Sequence, residues 1–331
     1  MQPLKLGVLG VSKHFTMRVL PPLIRSEAVE VYGIASRDGV KAKEAAEQYA
    51  IPKAYSGYDA LLDDSSIEAV YIPLPNDLHL EWIKRAADRG KAVICEKPLA
   101  LDGRQAEEAV AYARAKGIRL MEAFMYKFHP QWQKALELVR YGDIGKIRSI
   151  HTFFGYNNTD PKNIRNIKEN GGGALLDIGC YAVSSARFLM QAEPRRVLAV
   201  IEEDPAFGTD ILVNAALDFG GARALFTVGT QTFPQQKVTV YGTAGAVTVE
   251  LPFNMYPDAP ARLTVQTSVG LRALELGPAD QYQLMFESFA KAVRDGSEPP
   301  PPVGPEDAVA NMKVLDALFR SGRSGGWETV G

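Results

Sequence analysis

Cysteine is nearly missing from this chain: Cys95 and Cys180 are the two among 331 residues. Thiols so few and so far apart form no disulfide framework and fall in no zinc-ligand spacing, so two reduced cysteines in a cytoplasmic protein, and no metal site, are expected. Charge of one sign is also missing. The chain carries 37 Lys and Arg against 39 Asp and Glu, with no basic run. Nucleic acid is excluded as a partner on that ground, because neutralising phosphates takes clustered cations. No apolar run approaches the ~20 residues of a membrane span. The opening MQPLKLGVLG enters a strand pattern directly, without the charged and apolar stretches of an export signal. What is present is globular material, 46% apolar and 23% charged, enough to fill more than one core. At about 150 residues per domain, the length implies two domains.

Over residues 1–123, short apolar runs alternate with amphipathic stretches. Strands are expected at Leu4–Leu9, Val29–Ser36, near Ala54, and at Ala69–Pro73, Ala92–Glu96 and Arg119–Ala123. Helices are expected at Phe15–Ile24, Gly39–Ala50, Tyr58–Leu62, Asp77–Asp88 and Arg104–Lys116. That alternation predicts a doubly wound parallel sheet, a Rossmann-type α/β domain.

The pattern changes over residues 124–331. Helices are expected at Gln131–Tyr141 and Ala174–Met190, separated by a strand at Lys146–Tyr156 and a polar loop. Segments at Arg196–Glu202, Asp210–Phe219, Ala222–Gln231, Lys237–Gly242, Ala246–Leu251 and Arg262–Val269 then alternate with period two. They predict a large, mostly antiparallel open sheet in a second α/β domain. With no later helix expected to cover it, the outer face of that sheet is a candidate homodimer surface. A Pro-rich linker at residues 299–303 leads to a last helix at about 305–321, expected to pack back on the first domain.

Four places carry chemistry. The first strand ends in Gly10-Val11-Ser12-Lys13-His14-Phe15. A dinucleotide turn wants G-x-G-x-x-G/A so that backbone amides approach a pyrophosphate at a helix N-terminus. Only the first glycine is in place; the position between strand and helix is the stronger signal. The second strand ends in Ser36-Arg37, where an NAD enzyme carries an acid for the ribose hydroxyls. Ser36, Arg37 and, a turn later, Lys41 suit a 2′-phosphate instead, so NADP is preferred and NAD is the alternative. The alternative for Arg37 is a solvated surface charge.

The expected fifth strand ends in Glu96-Lys97-Pro98, which puts Lys97 where parallel sheets bind ligands, in a turn that a cis prolyl bond would fix. Gly171–Tyr181 reads GGGALLDIGCY. Asp177 and Tyr181, four apart, share a helix face; a buried structural tyrosine with an Asp partner is the alternative.

Taken together, Gly10–Phe15, IPLPNDLH over Ile72–His79, Glu96-Lys97-Pro98, EAFMYKFHP over Glu122–Pro130 and Gly171–Tyr181 resemble the glucose–fructose oxidoreductase / inositol dehydrogenase / rhizopine-catabolism family along nearly the whole chain. Tyr181 stands where many sugar and inositol dehydrogenases of that family have His. With EAFMYKFHP it resembles the dihydrodiol and NADP-dependent D-xylose dehydrogenase branch. The resemblance implies that Lys97 and Tyr181 are the catalytic pair, with Asp177 supporting, and that the large sheet forms homodimers or dimers of dimers. It also implies that Leu74, Pro75, Asn76, His79 and Glu96 line the nicotinamide side of the cofactor; a histidine at a helix N-terminus is the alternative for His79. Arg165 and Asn166 would bind substrate hydroxyls, and Tyr126 and Tyr156 would offer a face for a sugar; loop or core roles are the alternatives for these four.

Chemistry agrees with the pair. A tyrosine of pKa near 10 becomes a usable base beside an ammonium group. The function expected is an NADP-dependent dehydrogenase acting on C1 of an aldopyranose such as D-xylose or D-glucose, or on a cyclic diol. Reduction of a keto- or anhydro-sugar is the second alternative. A non-catalytic NADP-sensing regulator is a third, disfavoured because Lys97, Asp177 and Tyr181 are all present.

Overall fold

The computed structural model describes residues 2–297 and 304–331; the Pro-rich linker expected at 299–303 lies outside them. The chain folds as two compact units, Met1–Met125 with Tyr282–Val309, and Tyr126–Gln281 with Ala310–Gly331.

In the first unit six strands form one parallel sheet: β1 (Leu4–Leu9), β2 (Val29–Ser36), β3 (Lys53–Ser56), β4 (Ala69–Ile72), β5 (Ala92–Cys95) and β6 (Leu120–Glu122). Their order in space is β3-β2-β1-β4-β5-β6. The chain therefore starts mid-sheet, builds to one side and then crosses to the other, so the turns after β1 and β4 diverge and open a crevice at the strand ends. β4 and β5 are wholly buried, as strands covered on both faces must be. The crossovers are α1 (Leu20–Leu23), α2 (Gly39–Tyr49), α3 (Tyr58–Leu62), α4 (His79–Asp88) and α5 (Gly103–Ala115). Two start on aspartate caps: Asp38 accepts from the Val40 and Lys41 amides, and Asp102 from Gln105. A wide, π-type turn over Phe15–Val19 precedes α1, in place of a regular helix start.

The second unit holds α6 (Pro130–Arg140), β7 (Ile147–Asn157), α7 (Cys180–Met190) and the strands β8 (Arg196–Glu203), β9 (Asp210–Asp218), β10 (Arg223–Gly229), β11 (Gln231–Gly242), β12 (Gly245–Val249), β13 (Ala261–Thr267) and β14 (Gly270–Leu276). With β15 (Glu328–Thr329) they make a nine-stranded sheet, β14-β13-β12-β11-β7-β10-β9-β8-β15, antiparallel except where β10 runs alongside β7. The fold class is the one expected from the sequence. α6 and α7 pack on one face. The other face exposes Val200, Leu225 and Tyr241.

The structure corrects two expectations. A helix does follow the strands: α8 (Gln281–Asp295) belongs largely to the first unit, where Phe286 meets Tyr71 edge-on at 5.2 Å and Arg294 pairs with Glu68. The last helix, α9 (Pro305–Ser324), begins with the first unit, but from Ala310 onward its residues belong to the second. Among the described residues no helix is long and apolar enough to cross a membrane.

The second unit's core is aromatic. Phe253 lies 5.1 Å from both Phe154 and Tyr181, 5.4 Å from Tyr126 and 5.9 Å from Trp132, centroid to centroid. Phe253→Ala empties the centre of this cluster and is expected to cost about 3–5 kcal/mol. Leu271→Ala, on an exposed edge strand, should stay within about 0.5 kcal/mol. Urea unfolding followed by tryptophan fluorescence checks the contrast, and equal midpoints for the two variants would contradict this packing.

Candidate active site

Gly10 closes β1 with its amide on the Ala35 carbonyl at 2.9 Å and φ +118°, a conformation that side-chain residues avoid. A Cβ there would stand 3.3 Å from Leu74 Cδ2 and 3.8 Å from the Tyr58 hydroxyl. The bare backbone between those side chains is the cradle a dinucleotide turn requires, and it fits a nucleotide at the switch point of the strand order. Ser12 is used by the protein itself: its Oγ accepts the Phe15 amide at 3.1 Å. The Phe15 ring is fully buried, 6.1 Å from Tyr71. In this turn Lys13 is exposed, while Val11, Ser12 and His14 are partly exposed.

At the end of β2, Ser36 is buried and its Oγ accepts the Asp38 amide at 3.2 Å. Arg37 and Lys41 are exposed, and the adjacent acid, Asp38, is engaged as the helix cap. Tyr58 was not among the expected site residues. Burial raises its phenol, while the positive charge of the nearby Arg37 guanidinium acts the other way. Tyr58 also meets Trp82 edge-on at 4.8 Å. Tyr58 thus lies within electrostatic reach of the arginine, and no local pattern links residues so far apart in the chain.

The turns after β4 and β5 are tied together. His79 is fully buried, its Nδ1 3.0 Å from the Pro98 carbonyl and its Nε2 2.9 Å from that of Leu74. Burial lowers its pKa, and the two carbonyls oppose that shift. A ring so enclosed reaches no ribose, so His79 is a support for this turn and not a cofactor contact. Glu96 accepts from the Tyr71 hydroxyl at 2.5 Å and lies 3.5 Å from His14 Nε2. Burial would raise the Glu96 carboxyl; His14, Tyr71 and Lys97 outweigh it and hold the group below its ordinary value. Lys97 is half-buried, Lys97–Pro98 is cis, and the Leu99 amide is held by Glu122 at 2.8 Å. Pro75 and Asn76 are partly exposed on the β4 turn.

In the second unit, Asp177 lies in a wide π-type turn over Leu175–Gly179, and Tyr181 is the second residue of α7. Both are buried. One carboxylate oxygen of Asp177, Oδ2, accepts from the Tyr156 hydroxyl at 2.7 Å and from Arg165 Nε at 2.8 Å. Burial and the Asp177 charge keep the Tyr156 phenol protonated, far above its ordinary pKa. The Asp177 charge, against burial, keeps Arg165 protonated. Three residues expected at the site are thus brought together. Tyr181 adds its ring, 5.8 Å from Phe154 and 6.0 Å from Tyr126.

Two expected substrate contacts belong elsewhere. Tyr126 is wholly buried, with its hydroxyl 2.8 Å from Ser184 Oγ, so it offers no face to a sugar. Asn166 is buried too, its Nδ2 donating to the carbonyls of Asn158 and Asp160, which shapes the loop. Two of the three successive glycines are explained by close approach. A Cβ on Gly172 would lie 2.5 Å from the Arg165 carbonyl, and one on Gly173 2.0 Å from Asp210 Oδ1. Among the described residues, no group of three His, Cys, Asp or Glu could hold a metal ion.

Comparison with known proteins agrees with this geometry. Residues 4–124 match the oxidoreductase family with an NAD-binding Rossmann fold, and residues 132–248 match the GFO/IDH/MocA C-terminal domain. The chain belongs to the GFO/IDH/MocA family. This oxidoreductase is 38% identical to D-xylose 1-dehydrogenase (NADP(+)) 2 of Haloferax volcanii, over 96% of this chain and 97% of that one. It is 34% identical to trans-1,2-dihydrobenzene-1,2-diol dehydrogenase of Xenopus tropicalis, over 69% of this chain and 68% of the other. Among solved structures, a 3-ketoreductase from Actinomadura kijaniata in complex with NADP and TDP-benzene superposes with a TM-score of 0.91 at 33% identity, covering 96% of this chain and 98% of that one. An NAD(P)-binding GFO/IDH/MocA oxidoreductase acting on CH–OH groups is what these findings establish.

Proposed function

We propose that the protein is an NADP-dependent dehydrogenase acting on the C1 hydroxyl of an aldopyranose such as D-xylose or D-glucose, or on a cyclic diol. The observation that carries this is the Asp177 carboxylate, gripped by Tyr156 and Arg165 at the start of the helix that bears Tyr181. Lys97 and Tyr181 are the catalytic pair. When bound, the nicotinamide supplies or accepts the hydride. Tyr181 takes the hydroxyl proton, and the Lys97 ammonium favours its phenolate by opposite charge. Asp177 orients Arg165 through Nε, leaving the guanidinium's outer nitrogens to donate to sugar hydroxyls. Support comes from the Actinomadura enzyme, which has also been solved as a Lys→Ala and as a Tyr→Phe variant. The two substituted positions are separated by the same number of residues as Lys97 and Tyr181.

Reduction of a keto-sugar is a second assignment, favoured by the 3-ketoreductase. In that direction Tyr181 gives its proton to the forming alkoxide, so the same residues serve both. A regulator without catalysis has no need of the paired Asp177.

On the nucleotide side, Gly10 gives the pyrophosphate access to backbone, and Arg37 with Lys41 takes the 2′-phosphate. Arg37→Asp should then remove about 1.5–3 kcal/mol of NADP binding, one charge-assisted contact. Fluorescence titration checks this, and wild-type protein binding NAD as tightly as NADP would refute the assignment.

The exposed face of the large sheet is proposed as a homodimer surface, on the grounds of Val200, Leu225 and Tyr241 standing uncovered there. Sedimentation should give a dimer at micromolar concentration; a clean monomer rules that out.

The catalytic pair is tested by Tyr181→Phe, which keeps the ring in its aromatic cluster and removes the proton acceptor. Folding and NADP affinity should survive, while turnover with aldoses falls ~10²–10⁴-fold. Lys97→Met should lose a similar amount, and the double variant far less than the product, because the two act as one unit. Near-normal turnover in Tyr181→Phe, with chemistry rate-limiting, would return Tyr181 to a packing role.

A further inference from the structure

Asp210 lies outside every motif that carries the chemistry, yet it is buried at the first position of β9. Its Oδ2 accepts the Leu175 amide at 2.6 Å, and the neighbouring Ala174 amide is near enough to favour the charged carboxylate. These amides begin the turn that continues into α7, and the first amides of a helix have no partner within it. Gly173, with φ +115°, clears the approach, since a Cβ there would collide with Asp210 Oδ1. The Arg165 carbonyl accepts the Gly173 amide at 2.8 Å, which anchors the same start from the loop side. A buried carboxylate and a loop carbonyl together fix where the helix begins.

We infer that Asp210 is a positioning residue, whose carboxylate sets the start, and so the direction, of the segment carrying Asp177 and Tyr181. The inference rests on the catalytic assignment of Tyr181 made above. A charged carboxylate is the stronger acceptor for backbone amides. Burial raises the Asp210 carboxyl to about 6, Glu203 adds to the shift, and the amides of Leu175 and Ala174 oppose it. The ionisable groups facing it are Glu203 of β8, its partner across the strand register, and Tyr156 of β7, with the Asp177–Arg165 pair beyond.

The folded value lies above the ordinary one near 3.9. Asp210 therefore contributes its full stability below that ordinary value and loses it as pH rises through about 6. The carboxylate cap forms over the same interval, so activity should rise as this part of the stability falls.

The test compares wild type, Asp210→Asn and Asp210→Ala by kcat, KM and thermal midpoint across pH 5–8, with aldoses and NADP. An acid limb in the wild-type kcat near pH 6 should vanish in Asp210→Asn. That variant should turn over about tenfold more slowly above the limb, since small misplacements of catalytic groups are costly, with its KM for NADP unchanged. Its thermal midpoint relative to wild type should climb as pH rises through 6. A limb near pH 6 that persists in Asp210→Asn, as distinct from the limb of the Tyr181 base, or an unaltered kcat, overturns the inference; so does a midpoint difference that stays flat with pH. Asp210→Asn carries these readouts if Asp210→Ala does not fold. Should Tyr181→Phe retain turnover, the catalytic assignment fails. The pH dependence of the midpoint, and loss of hydrogen-exchange protection at the Leu175 amide in Asp210→Asn, then judge the cap without any substrate.

Discussion

A carboxylate removed from water must be paired, and the pairing of Asp177 organises the second unit. Leaving such a charge without partners costs several kcal/mol, so whatever surrounds it has to deliver donors. Tyr156 comes from the end of β7, Arg165 from the loop that follows, and Asp177 itself from the turn before α7. Three stretches of chain converge on one oxygen, Oδ2. That convergence requires the loop to pass close to the helix start, and glycine at 172 makes the passage possible. Behind it, α7 is buried from Cys180 through Leu189. A helix enclosed on all sides cannot rotate to relax a mismatch, so the aromatic core around Phe253 and the polar cluster hold one another in place.

The first unit solves a different problem, that of bringing phosphates to backbone. The strand order, with β1 in the middle, makes the crevice, and a positive-φ glycine at the end of β1 makes it approachable. The rest is bracing. His79 joins the turns after β4 and β5, and Glu96 draws Tyr71 and His14 together. Most of these supports are polar groups under little solvent, where a hydrogen bond fixes geometry more firmly than at the surface.

Much of this was legible in the residues. The alternation over residues 1–123 pointed to the parallel sheet because strands and helices differ in period, two against 3.6. Arg165 and Tyr156 were expected as substrate contacts, and the structure joins both to Asp177. α8 was missed, although Tyr282, Met285, Phe286 and Phe289 keep a helical spacing and are buried. Tyr126, Asn166 and His79 are a different kind of miss. Tyrosine, asparagine and histidine bind ligands and also satisfy buried backbone or hydroxyl groups, and only their neighbours in space separate the two uses.

What the sequence alone determined is the class of fold, the family, and the residue types that carry chemistry, because each of these is written in local periodicity or in short contiguous motifs. Tertiary structure decided which of those residues are reachable and which are supports. Ser12 and Phe15 are spent within their own turn, and Asp210 reaches the helix start from a strand far along the chain. Burial and hydrogen-bond partners are properties of distances between remote segments, and a linear pattern holds no record of which remote amide a carboxylate will find.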